Sequence, residues 1–322
     1  MASLPDLPGQ GRQRERLVLG LGTESLIDDQ QRQKSPASCR IQHFYDDPTG
    51  TLSYIAWDGQ SGKAAIIDCV LGYSMVSGRT DREPCDRLVE FIRSNDLTLE
   101  WILETHAHAD HLSGAQYVKS AVGGKVAVGK GICDVQAHFA PILCLGEDFP
   151  TDGSQFDHLF SDGDMCRIGS LDCEIIATPG HTNDSVSYRI GSNVFIGDSL
   201  FMPDYGTARC DFPGGDAGLL YDSIQRLLAL PGDTKLYMCH DYMPGGRELR
   251  FVSTVDEQRA GNIHVKQGIS KADFADMRTE RDAGLDAPAL IVPAIQVNIR
   301  AGYLPDAEDS GIAYLKSSLK AS

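Results

Sequence analysis

The run Thr105-His106-Ala107-His108-Ala109-Asp110-His111 places three imidazoles and a carboxylate within six residues. Imidazole nitrogen suits borderline metals and aspartate adds a hard oxygen, so an HxHxDH pattern can serve one metal ion or two adjacent ones. Such a centre needs further ligands from elsewhere in the chain. Three stretches offer them: Thr178-Pro179-Gly180-His181-Thr182, Gly197-Asp198-Ser199 and Cys239-His240-Asp241. Pro179 and Gly180 fix a tight turn that can aim His181, and Gly197 lets the backbone come close beside Asp198.

Each of these stretches follows an apolar run that reads as a buried strand: Trp101-Ile102-Leu103, Ile175-Ile176-Ala177, Val194-Phe195-Ile196 and Leu236-Tyr237-Met238. Strand ends on a rigid scaffold are where loops carry function. Further strands are expected at Thr51 to Trp57 and Ala64 to Asp68, joined by a turn at Asp58-Gly59 and Ser61-Gly62, and at Lys125 to Val128 and Ser185 to Ile190. Helical spacing of Leu88, Phe91 and Ile92 predicts a helix capped by Asp86 and ended by Asn95. Others are expected from about Ser113 to Ala121 and from about Gly218 to Leu230. Residues 251 to 290 read as helical and charged, and the tail from Leu290 to Leu319 as final strands or a closing segment. Strands in sets with helices after them predict two packed sheets with helices outside, an α/β fold.

The chain has 322 residues, 42% of them hydrophobic, enough for a substantial core. No stretch approaches the roughly 18 apolar residues of a membrane span, and no secretory leader is evident. Nine scattered cysteines without a CxxC pair read as reduced thiols. The expected location is therefore cytoplasmic; acids at Glu15, Glu24, Asp28 and Asp29 speak against a mitochondrial leader. A net charge of −16 repels phosphate backbones and disfavours a nucleic-acid partner. Residues 1–38 are polar, apart from Leu17-Val18-Leu19-Gly20-Leu21, and are expected to form an extension before a catalytic domain over 39–320, which includes the segment 251–320.

HxHxDH, TPGHT, GDSLF and CHDY, in that order over residues 106 to 241, resemble the metallo-β-lactamase superfamily. That resemblance implies an αββα sandwich of two mixed sheets flanked by helices, with the metal at one edge. Within it the chain is most similar to the glutathione-linked branch containing glyoxalase II and the persulfide dioxygenases, or sulfur dioxygenases. The ETHxHADH form of the motif, Arg209-x-Asp211-Phe212, Leu230-Pro231-Gly232-Asp233 and Asn298-Ile299-Arg300-Ala301-Gly302 favour the dioxygenases. Cys69, Cys210, Ala301 and a long Gly72 to Asp86 segment depart from the family pattern without touching a ligand position.

The ligand inventory permits two arrangements. A hydrolase with two zinc ions would use His106, His108 and His181 at one ion and Asp110, His111 and His240 at the other, bridged by Asp198. The resemblance to persulfide dioxygenases instead implies one Fe(II) on His106, His181 and Asp198, a two-histidine, one-carboxylate face with open positions. His108, Asp110, His111 and His240 would then orient ligands and hydrogen-bond water or oxygen species. Glutathione persulfide and O2 are the substrates implied by this reading, and a homodimer is implied by resemblance alone. Asp68 either joins the supporting groups or simply terminates its strand. Arg209 and Asp211 read as a supporting ion pair. Arg247, Arg250, Lys266 and Arg300 are candidates for the glutathione carboxylates, because arginine binds carboxylate at two points. Cys210 and Cys239 read as buried space-fillers, and His43, His138, His158 and His264 as structural.

Overall fold

The computed structural model describes residues 38–317. Twelve of its strands form two sheets of six, and within each sheet the spatial order follows chain order. The first sheet contains Cys39–Asp46, Thr51–Asp58, Lys63–Ile67, Thr98–Leu103, Lys125–Gly129 and His158–Phe160. Its first two pairings are antiparallel and the other three parallel. The second contains Met165–Ile168, Leu171–Ala177, Val186–Ile190, Asn193–Phe195, Lys235–Tyr237 and Val252–Thr254, with one parallel pairing between Asn193–Phe195 and Lys235–Tyr237. Both sheets are thus mixed. A short ribbon of Arg79–Asp81, Val70–Ser74 and Leu112–Ser113 lies beside the histidine run.

Strand alternation sorts the side chains into layers. Ile55, Ala64, Ile66, Ile102, Val126 and Val128 pack against Leu88, Val89 and Ile92 of the helix Glu83–Ser94, Val118 of Ala115–Val122 and Val135 of Ile132–Ile142. Their neighbours Tyr54, Ala65, Ile67, Leu103 and Ala127 turn the other way, onto Ile175, Val186, Tyr188 and Phe195 of the second sheet. On the far side of that sheet, Ile176, Val194, Leu236 and Met238 meet Leu220, Ile224, Leu227 and Leu228 of the helix Ala217–Leu228. The order is helix, sheet, sheet, helix. Because the inner strands are buried on both faces, they read as continuous apolar runs.

Several local expectations are corrected. The first helix begins at Glu83 with Pro84 in its first turn, so Asp86 sits inside that turn and does not cap it; proline's fixed φ and missing N–H suit a helix start. The segment 251–290 opens with the strand Val252–Thr254 before the helices Val255–Gly261 and Lys271–Asp282. The tail, expected to give final strands or a closing segment, supplies the helix Ile291–Asn298. The helix Ile132–Ile142 and the strands His158–Phe160 and Met165–Ile168 were not anticipated. Leu17 to Leu21 lie outside the described residues. Among the described residues no helix is long and apolar enough to cross a membrane.

Candidate metal centre

Five strands end at one place. Lys63–Ile67 delivers Asp68, Thr98–Leu103 delivers the histidine run, Leu171–Ala177 delivers His181, Asn193–Phe195 delivers Asp198, and Lys235–Tyr237 delivers His240. Two glycines make the approach possible. Gly180 has φ +139°, and a Cβ there would lie 2.2 Å from the Leu220 backbone nitrogen. Gly197 has φ +50°, and a Cβ would lie 2.8 Å from the Thr105 side chain. Both conformations favour glycine.

Each imidazole of the cluster has one nitrogen tied to the protein. His106 Nδ1 lies 3.0 Å from Thr105 Oγ1, His108 Nε2 3.1 Å from Asp68 Oδ1, and His111 Nδ1 3.2 Å from the Leu112 carbonyl. His181 Nδ1 lies 2.7 Å from the Arg209 carbonyl and His240 Nδ1 3.4 Å from Thr51 Oγ1. Tying one nitrogen sets which of the two remains for a metal.

The opposite atoms are buried without a hydrogen-bond partner: His106 Nε2, His108 Nδ1, His111 Nε2 and His240 Nε2, together with Asp110 Oδ2 and Asp198 Oδ1. They converge. His240 Nε2 lies 3.3 Å from Asp110 Oδ2 and 3.4 Å from Asp198 Oδ1, and His181 Nε2 3.6 Å from Asp198 Oδ2. Donor atoms of His106, His181 and Asp198 all fall within 4.8 Å of one another, as do those of His108, Asp110 and His111. Leaving a buried polar atom unpaired costs ~1–3 kcal/mol, and six such atoms would offset most of a net stability of ~5–15 kcal/mol. The donor set therefore fits bound metal, with nitrogen and oxygen ligands suited to iron or zinc.

The electrostatics agree. Burial, reinforced by the neighbouring imidazoles, holds His106 well below the usual histidine range, and burial with His108 takes His111 down to about 3, so both present neutral lone pairs. For His108 burial works in the same direction, but the Asp68 carboxylate outweighs it and pushes the ring up to about 10. Asp110 resists burial through His240, His111 and His108 and falls to about 2. Asp68 is thus placed behind His108, where it also accepts from the Thr105 N–H at 2.7 Å and Oγ1 at 2.9 Å.

Two residues that hold the loop carry no ligand signature in the sequence. Asn298 Nδ2 donates to the carbonyls of His108 and His111, both at 2.8 Å, while its Oδ1 accepts from the Ser113 N–H at 2.7 Å. Asp184 Oδ2 accepts from the Ala107 N–H at 2.7 Å. Their positions inside the quoted Asn298 to Gly302 motif and just after TPGHT were the available signals.

A cleft of about 180 Å³ opens before the donors, lined by Asp110, His181 and Asp198 on the floor and by Phe201, Tyr205, Tyr242, Arg209, Arg278 and Arg281 around it. Arg209 and Asp211 form a two-point pair, at 2.6 Å for both contacts. Arg247, Arg250, Lys266 and Arg300 are not among the residues lining the cleft. Arg247 is paired with Asp204 and Asp241, and Arg300 lies over the Phe149 ring and donates to the Gln296 carbonyl at 2.6 Å. Burial pushes the Cys210 thiol up to about 12 and Cys239 well above its usual value, which keeps both unreactive. His264 Nδ1 accepts from the Thr207 N–H at 3.0 Å, and His43 stacks on Phe251 at 3.8 Å.

Residues 46–240 match the family model of the metallo-β-lactamase superfamily. A protein named glyoxylase B2 from Dictyostelium discoideum is 51% identical over 87% of this chain and 97% of its own length. The human mitochondrial persulfide dioxygenase ETHE1 is 30% identical over 84% of this chain and 92% of its own. The crystal structure of ETHE1 from Myxococcus xanthus superposes with a TM-score of 0.66 at 30% identity, covering 82% of this chain and 100% of that one. With the motif order, the layered sheets and relatives of this coverage in agreement, the chain belongs to the metallo-β-lactamase superfamily, in the branch that holds glyoxalase II and the persulfide dioxygenases.

Proposed function

We propose that this protein is a non-haem iron persulfide dioxygenase, converting glutathione persulfide, O2 and water to glutathione, sulfite and two protons. The observation that carries this reading is the face formed by His106, His181 and Asp198, whose donor atoms lie within 4.8 Å of one another and two of whose members line the cleft. Two histidines and one carboxylate on one side of an ion leave open positions, the arrangement of iron oxygenases. A ferrous ion held there would supply redox electrons and sites for the persulfide sulfur and O2. Similarity to the human persulfide dioxygenase supports the same reading.

The remaining polar groups act around that face. Asp110 lines the cleft beside Asp198, and His240 stacks on Tyr242 with ring centroids 5.6 Å apart. In this reading Asp110 and His240 orient water and exchange protons at the cleft floor. His108 and His111, anchored by Asp68 and by the Leu112 carbonyl, fix the loop that carries His106. Apolar and aromatic side chains, Ala109, Phe201 and Leu285 among them, shield the sulfur from bulk water.

A second reading has its own observation. Asp110 Oδ2, His111 Nε2, His240 Nε2 and Asp198 Oδ1 are all unpartnered, enough donors for a second ion, which would suit a zinc-dependent thioester hydrolase of the glyoxalase II type. Metal analysis of protein purified without added metal separates the two. About one iron per chain with no turnover of lactoylglutathione is expected. Two zinc ions per chain with rapid thioester hydrolysis would overturn the dioxygenase reading.

A further inference from the structure

Three guanidinium groups line the cleft, and two of them are already neutralised. Arg209 is held by Asp211 at two points and donates to the Asp286 carbonyl at 2.7 Å. Arg278 is buried, pairs with Asp282 at 2.5 Å and donates to the Thr207 carbonyl at 3.1 Å. Arg281 follows it by one turn on the helix Lys271–Asp282, lines the same cleft and is exposed. Its guanidinium makes no hydrogen bond or ion pair with another described residue.

An unpaired cation at the mouth of a cleft on a chain of net charge −16 works against the overall field. No described residue lining the cleft pairs with it, and the planar guanidinium matches a carboxylate at two points. Tyr205 and Tyr242, with ring centroids 5.0 Å apart, supply an aromatic wall for the less polar body of the same ligand.

We infer that Arg281 binds a carboxylate of the substrate and so selects a thiol carrier with an acidic end over an uncharged one. This rests on the glutathione-linked reading above and names the residue that would enforce it. In that arrangement Arg209 and Arg278 shape the cleft, and Arg281 senses the charge of what enters.

The test measures binding without turnover. S-methylglutathione and its diethyl ester are titrated calorimetrically into the metal-loaded wild type, R281Q and R281K at low and moderate salt. The acid is expected to bind R281Q about tenfold more weakly than wild type, with R281K between them, while the diester binds all three alike. Salt should weaken binding of the acid to wild type and have little effect in R281Q. Because Arg281 is exposed and unpaired, R281Q should keep the metal content and melting temperature of wild type. Equal affinity of wild type and R281Q for the acid would overturn the inference and leave the glutathione reading standing. Failure of wild type to bind S-methylglutathione at all would overturn both.

Discussion

Five imidazoles share one arrangement at this centre, with one ring nitrogen fastened to the protein and the other turned toward its neighbours. His181 belongs to the face that carries the proposed chemistry, so His181→Ala is expected to abolish both metal retention and activity; a variant that keeps full iron and full activity would show that the site is misassigned. His108 adds a pH dependence. Without metal its ring is protonated at neutral pH, since Asp68 pushes it up to about 10. Using Nδ1 for an ion displaces that proton. With one iron on His106, His181 and Asp198, His108 keeps that proton, so iron loading should release about none from it at pH 7; the two-zinc arrangement, which uses Nδ1, would release about one per chain and gain about tenfold in affinity per pH unit until about pH 10. Titrations in buffers of different ionisation enthalpy count that proton, and a count of about one would put His108 on an ion and contradict the one-iron arrangement. Asn298→Ala should cut metal affinity about 10- to 100-fold, because supporting partners of ligands contribute on that scale. The ligand side chains are legible in sequence because the chemistry resides in their types. Asn298 and Asp184 are not, because they act on backbone groups of a loop far away in the chain.

The elements converge because strand ends from both sheets meet. Gly180 shows how little slack they have: an alanine Cβ would meet the Leu220 nitrogen at 2.2 Å and its Cα at 2.3 Å, both backbone atoms that cannot turn aside. Gly180→Ala is expected to cost more than about 2 kcal/mol and to shift the turn that aims His181. A melting curve and a metal assay check this together, and an unchanged melting temperature with full metal content would contradict it. Strands such as Thr98–Leu103 are legible because their apolar runs stop abruptly at polar motifs. The helix Ile291–Asn298 is not, since six of its eight residues are buried and its Ile and Val content reads equally well as strand. Ile132–Ile142 is disguised by Pro141 near its end.

At the scale of the whole molecule, the first sheet lies within residues 39–160 and the second within 165–254, and the metal centre draws on both. The histidine run comes from the first, His181, Asp198 and His240 from the second. An ion there ties the two sheets together, so its removal by a chelator should lower the melting temperature by roughly 5–15 °C, as expected when a tightly bound ligand stabilises only the folded state. No shift on chelation would mean that the donors do not hold metal. The layered order was legible from strands grouped with helices, while the pairing of the sheets depends on contacts between residues far apart in sequence.

The central claim concerns what the centre does with oxygen. The direct measurement is an oxygen-electrode trace of the iron-loaded protein with glutathione persulfide, with sulfite assayed in the same vessel. About one O2 consumed per sulfite formed is expected, at a rate proportional to bound iron. Iron-loaded protein that consumes no oxygen and forms no sulfite would contradict that claim.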